Sequence, residues 1–399
     1  MSLDTSSADD ERCGDGANSD VLEGALVAGE RVLASRFGAP ITLVDPQDLA
    51  GSGPAAVVRV KVDSSPFALP RTLVIKQYPG STGQPNPFAT EAASYQLFTA
   101  LPAKDRACPE LIGHDGNRRV LVLEDLGRAP TLADKLRTPD ARAAERALLS
   151  WARALGRMHA STVSREQDFN ALLRRLGAFA PDADEMAGAA GDRLPAILAD
   201  ALGIGTSSAT VEVVNEALER VHGSPFRSFS PVDLSPENNL VTNNGVRFLD
   251  FEHGCVRNAL IDVAHLRAPF AFWEGALALP AGMSDAMIAA WRAEVSAIWP
   301  ALADDQVFAG GLLDSQILAV WMQTRTTLPD LLDDPDSWPA SRAAALVSWW
   351  RELATQATQA TQATQSGARE IAAHAQAVAT ALDERFGPNL ELAVYEAFR

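Results

Sequence analysis

The chain changes character once, near residue 124, and that change limits what it can become. Before it lie short runs rich in valine and isoleucine, at residues 41–44, 55–62 and 71–78, separated by clusters of Gly, Pro and Ser. Such runs predict antiparallel strands in a meander. A helix is predicted from Asn86, with Asn86 as N-cap, Pro87 at the first helical position and Phe88, Ala92 and Tyr95 on one face. Two more strands, around Leu111 and at residues 120–123, complete a small sheet, and residues 21–36 suit an amphipathic helix ahead of it. After Glu124 the text is alanine-rich and helical at residues 141–160, 169–176, 211–221, 284–298, 304–326 and 339–386. One island interrupts it: two short strands, 239–242 and 246–251, joined by Asn243-Asn244-Gly245, a good hairpin turn. The expectation is an α+β chain with a disordered tail at 1–20, a sheet-bearing part at 21–124 with one main helix, and a large helical part at 125–399.

Composition removes several function classes. The 399 residues carry 34 basic and 51 acidic side chains, a net charge of −17. A broad electrostatic footprint for nucleic acid or anionic lipid is missing, so no nucleic-acid or membrane partner is expected. No apolar run approaches the roughly 18 residues a spanning helix needs. The first residues, acidic and small, lack the basic start and apolar stretch of a secretory signal. Cys13, Cys108 and Cys255 are odd in number and widely spaced, which speaks against a disulfide framework or zinc site and for a reducing cytoplasm. Seven of the eight tryptophans follow residue 270 and are expected mostly in the helical core, and the fourfold ATQ repeat at 354–365 reads as a tolerated expansion in a surface helix or loop. Lysine is scarce: Lys61, Lys76, Lys104 and Lys135 are the only ones. A lysine inside an apolar strand therefore stands out.

The most informative segment is residues 230–252. Asp233 and Asn238 stand in D-x-x-x-x-N spacing, and Asp250 opens D-F-E after the hairpin, where kinases carry D-F-G. A hydroxyl attacking a nucleotide γ-phosphate needs a carboxylate to orient it and take its proton, and magnesium on the phosphates needs hard oxygen ligands. Asp233 suits the first task, Asn238 and Asp250 the second. Alone, D-x-x-x-x-N reads as a turn; joined to a hairpin and D-F-E at this distance, it reads as a phosphotransferase loop.

The sheet part supplies a matching half. Leu73-Val74-Ile75-Lys76 ends an apolar strand in lysine, either a residue that pairs nucleotide phosphates or an edge lysine that blunts strand association. Glu91 follows on the Asn86 helix, where it either holds that lysine or faces solvent. Gly51-Ser52-Gly53 joins the first two strands and is a phosphate-covering loop or a plain Gly-Pro turn. The strand at 120–123 runs into Glu124-Asp125-Leu126-Gly127, a hinge whose backbone at Glu124 and Leu126 suits an adenine edge.

In this order Lys76, Glu91, LVLEDLG, ALGRMHA at 154–160, D-x-x-x-x-N, D-F-E and Asp262 in ALIDVAHL resemble the aminoglycoside phosphotransferase family, with its choline kinase and homoserine kinase relatives, over roughly residues 40 to 300. The resemblance implies a two-lobed protein-kinase-like fold using ATP or GTP with Mg2+, and a small-molecule alcohol as acceptor. It implies a catalytic base at Asp233, metal ligands at Asn238 and Asp250, and phosphate binding at Lys76. Three positions depart from the family. Pro231-Val232-Asp233 replaces the usual His-Gly-Asp, whose histidine braces the loop, and Ser235 stands where a histidine is common. A nucleotide-binding regulator without turnover is the alternative reading. Glu252, Asp262, Trp273 and Glu274 are the expected acceptor-site residues, and acids with a tryptophan suit a cationic amine such as an amino sugar or amino alcohol. The same Glu252 and Asp262 would equally serve to brace the catalytic loop.

Overall fold

The computed structural model describes residues 10–51, 53–80, 86–179, 183–270, 277–333, 339–362, 367–387 and 390–399. The chain divides into two compact units, one of residues 1–129, 168–179 and 250–253 and one of the remainder. A single boundary at residue 124/125 therefore does not describe them: the D-F-E segment, far along the chain, groups with the sheet.

The first unit is a five-stranded antiparallel sheet with helices on both faces. Its elements are α1 (Asp10–Phe37), β1 (Thr42–Asp48), β2 (Ala56–Ser64), β3 (Thr72–Gln77), α2 (Pro87–Thr99), β4 (Leu111–Asp115) and β5 (Val120–Glu124), with strand order β1-β2-β3-β5-β4. The first three strands form the expected meander, but β5, not β4, pairs with β3. Two causes are visible. The Asp115 carboxylate accepts from the Asn117 and Arg118 backbone N–H groups at 2.8 and 3.1 Å, a tight turn that folds β5 back on β4. Val120, Leu121 and Val122 are fully buried, which suits a central strand. On one face, Leu73, Ile75, Val58 and Val60 pack with Ala25, Ala28, Val32 and Leu33 of α1 in one apolar cluster. Gly29 lets α1 come this close, because a Cβ there would collide with Ile75. Side chains alternate along β3, so Lys76 points to the opposite face, toward α2. Helix α1 begins at Asp10 rather than at the expected residue 21, and residues 10–20 are helical rather than a disordered tail. An acidic start, Asp10-Glu11, suits the positive end of a helix dipole. Asn86 caps α2 as expected, its side chain accepting from the Ala89 N–H at 3.2 Å.

The second unit is mostly helical, with α3 (Leu132–Arg137), α4 (Ala141–Thr162), α6 (Ala183–Leu202), α7 (Ser208–His222), α8 (Ala259–Ala264), α9 (Met283–Val295), α10 (Asp305–Asp333), α11 (Ala340–Gln362) and α12 (Ala368–Phe386). Helix α5 (Glu166–Arg175) belongs to the first unit from Asp168 onward. Two small antiparallel pairs complete the unit, β6 (Arg227–Ser230) with β9 (Cys255–Asn258), and β7 (Asn239–Thr242) with β8 (Gly245–Phe248). Helix α6 escaped the sequence reading because Pro195 sits inside it. The expected helix over 339–386 is two helices. Gly367, at φ 74°, starts the second, and a Cβ on it would also meet Val213 of α7. Residues 354–362 of the ATQ repeat form the last turns of α11, with Ala354 and Ala357 buried and Thr355, Thr358 and Thr361 each donating to the carbonyl four residues back. The tryptophans among the described residues, Trp151, Trp291, Trp299, Trp321, Trp349 and Trp350, are all buried, as expected of a core. No helix of the described residues is long and apolar enough to cross a membrane.

His374 is buried in this unit and His265 half-buried. Burial, joined for His265 by the charge of Arg257, holds both at about 4. His374 lies between Trp321 and Trp350, with ring centroids 5.6 and 6.0 Å away. The folded values lie below the roughly 6.5 of an unfolded histidine, so this stability is complete above that pH and is lost as the pH falls toward 4. Unfolding free energy measured in denaturant should decline across that window, and less steeply in His374→Phe. An unchanged slope in the variant would refute the role of His374.

Candidate active site

In the first unit, three charged side chains meet at the end of β3. Lys76 Nζ lies 2.9 Å from Glu91 Oε2 and 3.0 Å from Oε1, and donates to Asp250 Oδ1 at 2.7 Å. Glu91 is fully buried and Lys76 nearly so. The Tyr78 hydroxyl donates to Glu91 Oε2, and the Phe251 backbone N–H donates to Oε1 at 3.3 Å. Burial pulls the lysine pKa down, but the Glu91 and Asp250 carboxylates outweigh it and hold Lys76 above its usual range. Burial raises Glu91 and, with the Glu91 charge, raises Tyr78. Both solvated alternatives are thereby closed: Lys76 is not an edge lysine, and Glu91 is not a surface glutamate.

Asp250 sits at φ 61°, in the left-handed region, which ends the strand expected to run to residue 251 at Phe248 instead. Phe251 is then buried between Tyr95 and Phe98, at 5.2 and 5.4 Å between centroids. Glu252 is half-buried, 3.5 Å from the ring of exposed His253.

The hinge segment is pinned by residues the sequence reading passed over. Arg59 grips Asp125 through two parallel bonds of 2.9 Å, and the Gly127 N–H donates to Asp125 Oδ1. The Glu124 N–H donates to the Glu110 carbonyl at 2.9 Å, and Leu126 follows, half-buried. Gly51 and Gly53 are exposed in the β1–β2 connection, and Ser52 lies outside the described residues.

In the second unit, Asp233 and Asn238 come together on the loop after β6. Asp233 Oδ1 accepts from the Ser235 N–H at 2.8 Å and the Ser235 hydroxyl at 2.5 Å, while Oδ2 accepts from Asn238 Nδ2 at 2.9 Å. Ser235 thus orients the carboxylate from the position where relatives often carry histidine. The Asp233 N–H donates to the Pro231 carbonyl at 2.8 Å, closing a three-residue turn around Val232 at φ 65°. This is the left-handed γ-turn, a rare form, and a β-branched residue there carries strain of about 1–3 kcal/mol. Buried Asn239 reaches back to the Ser235 carbonyl and accepts from Trp151 Nε1–H at 3.0 Å.

Asp262 is not an acceptor-site residue. It is fully buried, bound by Arg257, by His159 Nε2 at 3.1 Å and by the Ser230 hydroxyl at 2.9 Å. Burial alone would raise its pKa, but Arg257 and the His159 hydrogen bond bring it well below the usual carboxylate range. An indole N–H can only donate, so the 2.9 Å bond from Trp291 Nε1 to His159 Nδ1 leaves the histidine proton on Nε2, aimed at Asp262. Trp273 and Glu274 lie outside the described residues. A cleft of about 1030 Å³ in the second unit is lined by Phe226, Asn258, Arg267, Phe308 and Gln359 among others. Phe226 precedes β6, at the end of that strand away from Asp233.

Among curated proteins no match is found. Solved structures similar to this chain include choline kinase LicA from Streptococcus pneumoniae, at 13% identity over 81% of this chain and 96% of that one, with a TM-score of 0.47. A putative fructosamine-3-kinase from Haemophilus somnus 129PT is 14% identical over 83% and 98%, also at 0.47. A thermostable mutant of aminoglycoside phosphotransferase APH(4)-Ia is 14% identical over 82% and 98%, at 0.45. The family model described as the phosphotransferase enzyme family matches residues 55–303, from the start of the lysine-bearing hairpin past Asp262. That span is more than half of the chain and takes in both charged constellations, so the protein belongs to the phosphotransferase enzyme family.

Proposed function

We propose that the protein transfers the γ-phosphoryl group of ATP or GTP to a hydroxyl of a small molecule. The observation that carries this reading is Lys76, a cation held at once by a fully buried glutamate and by the D-F-E aspartate. Such a cation has a fixed position from which to bind phosphate oxygens. The backbone after β5, at Glu124 and Leu126, would bind the adenine or guanine edge, and the loop with Gly51, Ser52 and Gly53 would cover the phosphates.

Each unit offers oxygen donors of the kind that magnesium takes. Asp250 Oδ1 is engaged by Lys76 and its Oδ2 remains, while the Asn238 amide nitrogen is spent on Asp233 and leaves the amide oxygen. Hard oxygen donors of this kind hold Mg2+, which usually keeps several waters and shares the phosphates. When bound, Mg2+ neutralises charge on the phosphates. Asp233 orients the acceptor hydroxyl and takes its proton as the new oxygen–phosphorus bond forms and the bond to the leaving nucleoside diphosphate breaks. The acceptor is a small alcohol, and the acids Glu252 and Glu274 with Trp273 favour one that carries an amine, as in an amino sugar or amino alcohol. Asp262 no longer supports that preference.

Asp233→Asn should lower kcat by about a hundredfold or more while leaving nucleotide affinity nearly intact, because a base acts only in the transition state. Full turnover in the variant, or none in the wild type with any acceptor, would instead favour a nucleotide-binding regulator. Lys76→Ala and Asp250→Ala should each weaken calorimetric binding of Mg-nucleotide by about tenfold or more, since each removes a charge facing phosphate or metal. Unchanged affinity in both would contradict the site. For the acceptor, phosphate-release screening against amino sugars, amino alcohols, sugars and nucleosides should return an amine whose KM rises with salt and in Glu274→Gln. A neutral acceptor indifferent to both would remove the amine and keep the kinase.

A further inference from the structure

Ser230 stands between the buried Asp262 and the strained turn that presents Asp233, and it has the right number of bonds for both. Its one proton goes to Asp262 Oδ1 at 2.9 Å, and its oxygen accepts the Val232 N–H at 3.0 Å. Ser230 is 1% exposed, so water cannot replace either bond. Val232 is the centre of the left-handed turn closed by the Asp233 N–H and the Pro231 carbonyl. Valine disfavours this conformation, and the Ser230 oxygen is the group that fixes its N–H. The far end of the chain is equally fixed: Asp262 is held by Arg257 and His159, and His159 by Trp291. A rigid line therefore runs from Trp291 through His159, Asp262 and Ser230 to Val232, and stops one residue short of the proposed base.

We infer that Ser230 is a positioning residue for Asp233, acting through Val232 and replacing the brace that a loop beginning Pro231-Val232 lacks. The inference rests on the phosphoryl-transfer reading, and its test separates the two. In Ser230→Ala, Val232 loses the acceptor that holds it at positive φ, and the turn relaxes toward ordinary valine geometry. Glycine adopts positive φ without help, so Val232→Gly in the Ser230→Ala background should restore the turn.

The experiment compares wild type, Ser230→Ala and the Ser230→Ala/Val232→Gly double variant by kcat, by calorimetric Kd for Mg-nucleotide and by amide hydrogen exchange. The expected result is a kcat loss of about tenfold or more in Ser230→Ala with Kd unchanged, and recovery of most of it in the double variant. Exchange should show the Val232 and Asp233 amides losing protection while Ser228, paired in the β6–β9 ladder, and Phe229, whose N–H donates to the Thr162 hydroxyl, keep theirs. Retained kcat and protection in Ser230→Ala would overturn the inference. So would a loss that spreads through β6 and is not rescued by glycine, the mark of a purely structural serine. If the wild type transfers no phosphate, the proposed function fails alone, and the exchange comparison still decides whether Ser230 holds the turn.

Discussion

A carboxylate shut away from water, Asp262, is the charge around which the β6 end of the second unit is arranged. Burying such an ion costs several kcal/mol unless partners compensate it, and three do. Arg257 comes from β9, His159 from α4 and Ser230 from the end of β6, while Trp291 of α9 fixes the histidine tautomer. Three elements, among them the distant α4 and β6, are thereby tied to one carboxylate, and α9 is joined to it through His159. Removing the anion would leave Arg257 buried without a counter-charge, a loss of about 3–5 kcal/mol by the usual behaviour of such pairs. The geometry of the β6 end, and with it the start of the Asp233 loop, follows from this single compensation.

The first unit uses the same device with a different outcome. Glu91 is as deeply buried as Asp262, but its cation is a lysine shared with a second carboxylate, Asp250. The Tyr78 hydroxyl and the Phe251 N–H hold Glu91 independently, so its grip on Lys76 does not depend on Asp250. A guanidinium in place of Lys76 would spread its donors over both acids. A compact ammonium keeps its charge at one point at the end of β3, which suits binding phosphate oxygens.

Much of this was legible in the sequence because local rules and tertiary structure agree. Alternation in β3 placed Lys76 opposite the apolar cluster, Asn86-Pro87 fixed the start of α2, and the D-x-x-x-x-N spacing brought Asp233 and Asn238 into contact. The losses have physical causes. The β4–β5 swap is set by burial of Val120 to Val122 in the sheet centre, which no local pattern reveals. Asp262 is expected beside Trp273 and Glu274, which follow it in the chain, and only the fold shows Arg257 and His159 closing over it. Arg59, Ser230 and Trp151 carry no spacing signal at all. Each acts on a partner dozens of residues away, and a serine before Pro231 looks like any loop serine.

The two backbone outliers between β6 and β9 differ in kind. Asp250 at positive φ is inexpensive, since Asp tolerates the left-handed region and its side chain is held there by Lys76. Val232 in the same region is not, because its branched Cβ meets the neighbouring carbonyl. Strain of this sort persists only where surroundings over-determine it. Here the surroundings are the Ser230 oxygen on one side and, on the other, an Asp233 whose carboxylate is locked by Ser235 and Asn238. The fixed quantity in this loop is therefore the turn rather than the residue at position 231. Proline can stand at position 231 with Asp233 still held in place, because a buried anion holds the strand end and a hydroxyl passes that constraint to the turn.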